Sequence, residues 1–138
     1  KKMKKKFSSI GYIYGFRSGL EKSLYNQLQK AGINPLYEQL KLNYTIPESK
    51  HTYTPDFPIC STIIIESKGL FLPSDRKKML LIKEQYPKID FRFIFSNSNQ
   101  KINKNSKTTY ADWCNKYGFK YSDKTIPKEW LKEIKKLI

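Results

Sequence analysis

A chain of 138 residues fits one compact domain, and its 38% hydrophobic and 14% aromatic content excludes a disordered tail. The formal net charge of +15, from 27 Lys and Arg against 12 Asp and Glu, points to a polyanion, with nucleic acid ahead of an anionic membrane surface. Two distant cysteines and one histidine argue against a disulfide framework and a Cys/His zinc centre, and with no apolar run of membrane-spanning length a soluble, intracellular protein is expected.

Residues 1–15 read as a basic arm with little to bury, ahead of a single domain at 16–138. Ser18-Gly19-Leu20-Glu21 then opens a helix. Leu20, Leu24 and Leu28 recur at helical spacing and Gly32 closes it, which predicts a helix over about 18–31. Ser18 and Glu21 have the spacing of a capping box, in which Glu21 merely satisfies a backbone N–H, and pattern alone favours that role. Residues 36–46 alternate and predict a strand, broken by Pro47-Glu48-Ser49-Lys50. Two further strands are expected at 53–58 and 62–68, joined by a short turn. Pro73-Ser74-Asp75 opens a helix reaching Tyr86, and Pro87 stops it. The alternating run at 89–95 is the fourth strand, and the polar residues 96–107 form a loop. Thr109-x-x-Asp112 caps a short helix ending at Gly118, a short strand follows near 119–121, and Pro127 starts a last helix. The strand–helix–strand unit at 62–95 predicts a right-handed crossover between parallel strands. The expected fold is therefore an α/β sheet with helices packed on its faces.

The informative chemistry lies at Thr54-Pro55-Asp56 and at Ile63-Ile64-Ile65-Glu66-Ser67-Lys68. Three isoleucines mark a strand buried on both faces, and charges at its end are costly without partners. Residues two apart share a face, so Glu66 and Lys68 point one way and Ser67 the other. If 53–58 and 62–68 pair as a hairpin with Pro58 opposite Thr62, Asp56 lies one diagonal step from Glu66. Two carboxylates and a lysine then cluster, as phosphodiester hydrolysis with a hard divalent cation requires. The competing reading is an ordinary Glu66–Lys68 salt bridge on a solvated face. His51 reads as structural, and Trp113 and Trp130 as core rather than base-stacking platforms. The Arg76-Lys77-Lys78 run reads equally as a solvated face or a phosphate contact.

Several stretches together resemble the phage endonuclease I family, the Holliday-junction resolvases of the bacteriophage T-seven type. They are Phe16-Arg17-Ser18-Gly19-Leu20-Glu21, His51-Thr52-Tyr53-Thr54-Pro55-Asp56-Phe57, Glu66-Ser67-Lys68-Gly69-Leu70, Asp75-Arg76-Lys77-Lys78 and Ile126-Pro127-Lys128-Glu129-Trp130. The resemblance implies a restriction-endonuclease-like, PD-(D/E)xK mixed sheet flanked by helices. It implies catalytic positions at Glu21, Asp56, Glu66 and Lys68, with the three carboxylates as ligands of Mg²⁺ or Mn²⁺. Glu21 thereby turns from a cap into an expected active-site carboxylate. An intertwined, domain-swapped homodimer is also implied, in which Glu21 completes the partner's site. The expected substrate is branched DNA, with no membrane and no small-molecule cofactor beyond the metal. Candidate phosphate contacts are the basic arm, Arg17, Arg76, Lys77, Lys78, Lys101, Lys104 and Lys107. Two other readings stand beside this one: a sequence-specific duplex endonuclease on the same fold, and a basic nucleic-acid-binding module without catalysis.

Overall fold

A computed structural model of the chain describes residues 19–46 and 49–138. The expected arm at 1–15, Arg17, and the Ser18 end of the predicted cap lie outside those residues. The described elements run α1 (Gly19–Lys30), β1 (Leu42–Ile46), β2 (Ser49–Tyr53), β3 (Phe57–Pro58), β4 (Ile63–Lys68), α2 (Pro73–Gln85), β5 (Asp90–Phe95), α3 (Tyr110–Tyr117), β6 (Lys120–Asp123) and α4 (Lys128–Leu137).

A central sheet of order β3-β4-β5-β6 forms the body. β4 pairs with β5 in parallel, as the crossover rule predicts, and β5 with β6 in parallel, while β3 runs antiparallel along the β4 edge. The fold is thus a mixed α/β sheet. Alternation along its strands divides the core in two. Ile64, Phe91, Phe93 and Phe95 pack with Met79 and Ile82 of α2 and Tyr110 and Trp113 of α3. Ile63, Ile65 and Ile94 pack on the opposite face with Leu24 and Leu28 of α1 and Ile134 of α4. Trp113 is a core residue, as its helical position suggested. α3 begins where expected, with Thr109 accepting from the Asp112 N–H and Asp112 returning the bond, and Gly118 at φ 77° ends it.

Three expectations are corrected. The strand expected over 36–46 is confined to β1, because Tyr37–Gln39 turn sharply and Glu38 takes a positive φ of 52°. That conformation interrupts the alternation that the side chains suggest. The stretch at 53–58 is not one strand. Ser49 and Lys50, assigned to a breaker, begin β2, which pairs with β1 from Leu42↔Tyr53 to Ile46↔Ser49, and the chain then bends at Asp56 before the two-residue β3. Finally, Pro58 faces Ile64 rather than Thr62, and Phe57 faces Ile65. The N–H groups of Ile59 and Cys60 both turn to the Ile63 carbonyl, at 3.0 and 3.4 Å, so the connection is wider than a tight turn. A shift of two residues preserves which face each side chain occupies, and it brings Asp56 directly alongside Glu66.

Candidate active site

β4 carries the sequence from hydrocarbon to charge within six residues. Ile63, Ile64 and Ile65 are fully enclosed, and Glu66 remains only 4% exposed although it is a carboxylate. Its neighbours explain how it is held. The Tyr53 hydroxyl donates to Glu66 Oε2 at 2.5 Å, and the Asp56 backbone N–H donates to the same oxygen at 2.8 Å. Asp56 is 7% exposed and sits in the bend at the edge of the sheet. Its Oδ2 accepts from the Ser67 N–H at 3.0 Å and from the Ser67 hydroxyl at 3.1 Å. Asp56 therefore joins the two faces of β4, its backbone meeting Glu66 and its carboxylate meeting Ser67.

α1 delivers Glu21 to the Ser67 side of the strand. The Ser67 hydroxyl lies 3.4 Å from Glu21 Oε2, and the Tyr37 hydroxyl donates to Glu21 Oε1 at 2.6 Å. Glu21 is 5% exposed. All three sequence-predicted carboxylates thus converge within one chain, and Glu21 already reaches the site without a second copy. Lys68 ends the strand with its Nζ 3.6 Å from Asp75 Oδ1, and Asp75 also accepts from the Leu72 N–H at the start of α2.

Sequence reasoning missed Glu38. Its N–H donates to the Asp56 carbonyl at 3.1 Å, which docks the Tyr37–Gln39 turn against the site. One carboxylate oxygen each from Glu21, Glu38 and Asp56 lies within 4.8 Å of the others, a spacing that suits one cation. Glu66 is outside that tightest group. No periodic or spacing signal marks Glu38, since it is placed by an unusual backbone turn. Tyr53 was quoted as part of a motif but assigned no role, and Tyr37 none at all.

The electrostatics are those of an under-compensated anionic pocket. Burial, then Glu66, then Glu21 push the Asp56 carboxyl up to about 8, against the opposing bonds from Ser67. Burial also raises Glu66, opposed by Lys68, Tyr53, the Asp56 N–H and Lys78. Burial and the adjacent Glu66 raise the Tyr53 phenol, and burial and Glu21 raise that of Tyr37, so both stay protonated donors. Hard oxygen donors, deeply buried and mutually repelling, are the donor set that Mg²⁺ or Mn²⁺ prefers, so the residues fit a divalent cation.

Of the candidate phosphate contacts, Lys77, Lys101, Lys104 and Lys107 are exposed and Lys78 is half-buried, its Nζ 5.4 Å from the centre of the Tyr53 ring. Arg76 is turned inward, donating to the Phe71 carbonyl at 2.6 Å. His51 is exposed on β2, its ring 2.8 Å from the Ser49 hydroxyl, and it lines a cleft shared with Asp75 and Lys78. Among the described residues no helix is long and apolar enough to cross a membrane.

Comparison with known proteins agrees with this chemistry. A family model described as phage endonuclease I matches residues 3–138. Over 127 residues, 92% of this chain and 85% of the relative, the sequence is 52% identical to endonuclease I of Escherichia phage T7. It is 50% identical over 121 residues to endodeoxyribonuclease 1 of Enterobacteria phage T3, covering 88% of this chain and 80% of that protein.

Proposed function

The chain belongs to the phage endonuclease I family, and from that membership we propose that it is a structure-selective endonuclease that resolves four-way and other branched DNA by metal-dependent phosphodiester hydrolysis. The observation that carries the reading is the meeting of three buried carboxylates, Glu21, Asp56 and Glu66, beside Lys68 at one end of β4. These carboxylates hold the divalent ion, with Glu38 adjoining them. When bound, the ion supplies positive charge against the phosphate and lowers the pKa of water. Lys68 faces the same phosphate, offsetting its charge as a P–O ester bond breaks, and Asp75 keeps the ammonium from swinging away. Recognition follows branch shape and backbone charge, through Arg17, Lys77, Lys78, Lys101, Lys104, Lys107 and the N-terminal lysines, with Arg76 placed to brace the start of α2.

The short β3–β4 hairpin, with Asp56 before one strand and Glu66-x-Lys68 ending the other, supports a restriction-endonuclease-like core. A swapped homodimer is the assembly we propose. Residues 19–46 meet the rest of the chain through α1 packing and the β1–β2 ladder, contacts that the same residues of a second copy would supply in a swap. Two opposed sites then match the approximate two-fold symmetry of a four-way junction.

The deciding experiment compares an immobile four-way junction with a linear duplex of the same arm sequence, with Mg²⁺ and with EDTA. Metal-dependent cutting of the junction at far lower enzyme concentration establishes the reading. Equal cutting of both substrates makes it a general or sequence-directed nuclease, and tight binding without cutting leaves a binding module. Co-expressed Glu21→Ala and Glu66→Ala chains test the swap, because only exchange of 19–46 rebuilds one intact site and restores nicking.

A further inference from the structure

The hydrogen bonds to Glu66 and Asp56 are one-sided, whereas Glu21 is met on both oxygens, by Tyr37 and by Ser67. Among the described residues, every hydrogen bond to the Glu66 side chain falls on Oε2, and every one to the Asp56 side chain falls on Oδ2. Donors placed only to satisfy buried oxygens have no reason to favour one oxygen of each carboxylate. Donors that aim a carboxylate do, since they fix one oxygen and leave the other directed outward.

Two tyrosines donate to the site's glutamates, Tyr53 to Glu66 and Tyr37 to Glu21, one from each face of the sheet. Tyr53 is 3% exposed and belongs to the core beneath α2 and α3, its ring 6.4 Å from that of Phe91. Tyr37 is 4% exposed and belongs to the opposite core beneath α1 and α4, its ring 5.3 Å from that of Phe57 and 6.4 Å from that of Tyr25. The rings have little freedom, so each hydroxyl is a fixed point. Tyr53 holds Glu66 at 2.5 Å and Tyr37 holds Glu21 at 2.6 Å. A glutamate has enough side-chain torsions to swing its carboxylate by several ångströms, whereas one tethered through a single oxygen keeps the other in place.

We infer that Tyr53 and Tyr37 are positioning residues, each fixing an active-site glutamate to a different half of the core: Tyr53 holds one oxygen of Glu66 so that the other is presented to a divalent cation, and Tyr37 fixes where the Glu21 carboxylate sits beside it. The inference rests on the reading of Glu21, Asp56 and Glu66 as cation ligands. The ordinary alternative is that a buried phenol takes whatever acceptor is near, with no consequence for the cation.

Calorimetric titration of Mn²⁺ into the metal-free protein separates these cases. Tyr53→Phe and Tyr37→Phe keep the rings and remove only the hydroxyls. Each is expected to weaken Mn²⁺ binding by about tenfold, the low end for partners behind metal ligands, while metal-free affinity for branched DNA stays unchanged. Tyr86→Phe serves as the control, because its hydroxyl donates to the Asn43 carbonyl away from the site, and it leaves Mn²⁺ binding as it was. Glu66→Gln is measured alongside. If Glu66→Gln weakens binding and Tyr53→Phe lowers only the melting temperature, the tyrosine is core filling and the inference is overturned. If Glu66→Gln also binds Mn²⁺ normally, the ligand reading fails and takes the inference with it. Should Tyr53→Phe not fold, Tyr37→Phe on the opposite face decides by the same readout.

Discussion

β4 and β5 are hydrogen-bonded neighbours, and each buries charge, with opposite outcomes. On β5, Arg92 is fully enclosed, and its guanidinium meets Asp90 at 2.8 Å and Glu133 at 2.9 Å while lying 5.1 Å from the centre of the Trp130 ring. Burial works against its charge, but the bonds to Glu133 and Asp90 outweigh it and raise its pKa, and the Arg92 bonds in turn lower that of Glu133. On β4 the buried charges are Glu66 and its neighbours Asp56 and Glu21, all of one sign, and burial raises both Asp56 and Glu66. One cluster is balanced by the chain itself. The other is balanced only when something positive arrives. A fold that can pair a buried arginine this completely leaves its carboxylates unbalanced where a cation and a phosphate must come together.

Removing Lys68, the cation that ends β4, should have the largest effect. Lys68→Ala is expected to lower junction cleavage by about 10²- to 10³-fold, the usual cost of losing one preorganised group facing transition-state charge. Junction affinity in gel-shift titration should barely change. A matching loss of affinity would make Lys68 a binding residue and remove it from the chemistry.

The same change in the balanced cluster should act on stability instead. Arg92→Ala strands Asp90 and Glu133, but their side chains are 38% and 44% exposed and water screens them. The expected loss is therefore about 2–3 kcal/mol, below the ~3–5 kcal/mol seen when a fully buried pair is broken. Urea denaturation measures it, and cleavage per folded molecule should stay near that of the parent. If Arg92→Ala proved as stable as the parent, the contrast between the strands would collapse.

Asp75→Asn probes the boundary between the two kinds of site. Asp75 is both the capping partner of α2 and the only described anion within salt-bridge distance of Lys68. Asparagine retains a side-chain acceptor for the Leu72 N–H but loses the charge that holds the ammonium. Cleavage should drop by about tenfold with little loss of helix stability, as expected of a group acting through another. Unchanged single-turnover rates would show that Lys68 holds its place without it.

How much of this was legible in the sequence differs between the two clusters. Ile63-Ile64-Ile65 followed by Glu66-x-Lys68 is readable because burial of a strand and the cost of charge at its end are both local properties. Glu21 was not separable from a capping residue by pattern, since a cap and a ligand both require a carboxylate in the first turn; only its long-range contacts with Tyr37 and Ser67 distinguish them. Glu38 left no trace, because a left-handed turn after Pro35 places it and the surrounding alternation suggests a strand. Arg92 sits in the alternating run at 89–95 on the side opposite Phe91, Phe93 and Phe95, where the pattern gives no sign of burial, and its partner Glu133 lies 41 residues away.

The smallest effect concerns pH, and it separates the clusters without any substrate. Asp56 is raised to about 8 in the folded protein from an ordinary carboxylate value near 3.8. The metal-free folded state therefore holds a proton that the unfolded chain releases. Stability from this proton is full below the ordinary carboxylate range, declines as pH climbs, and is gone once pH has passed about 8. Glu66 is displaced in the same direction, so it adds to the trend. Melting temperatures in chelator between pH 6 and 9 should fall for the parent chain and fall less for Asp56→Asn, which carries no proton to lose. Mn²⁺ should reverse the slope, because cation binding needs the ionised carboxylate and becomes tighter as pH rises. Arg92 and Glu133 keep their charges throughout this window, so Arg92→Ala should lower the whole curve without tilting it. A slope in Arg92→Ala that differs from the parent's, or a flat profile in the parent, would mean that the unbalanced charge does not reside in the carboxylates around Asp56.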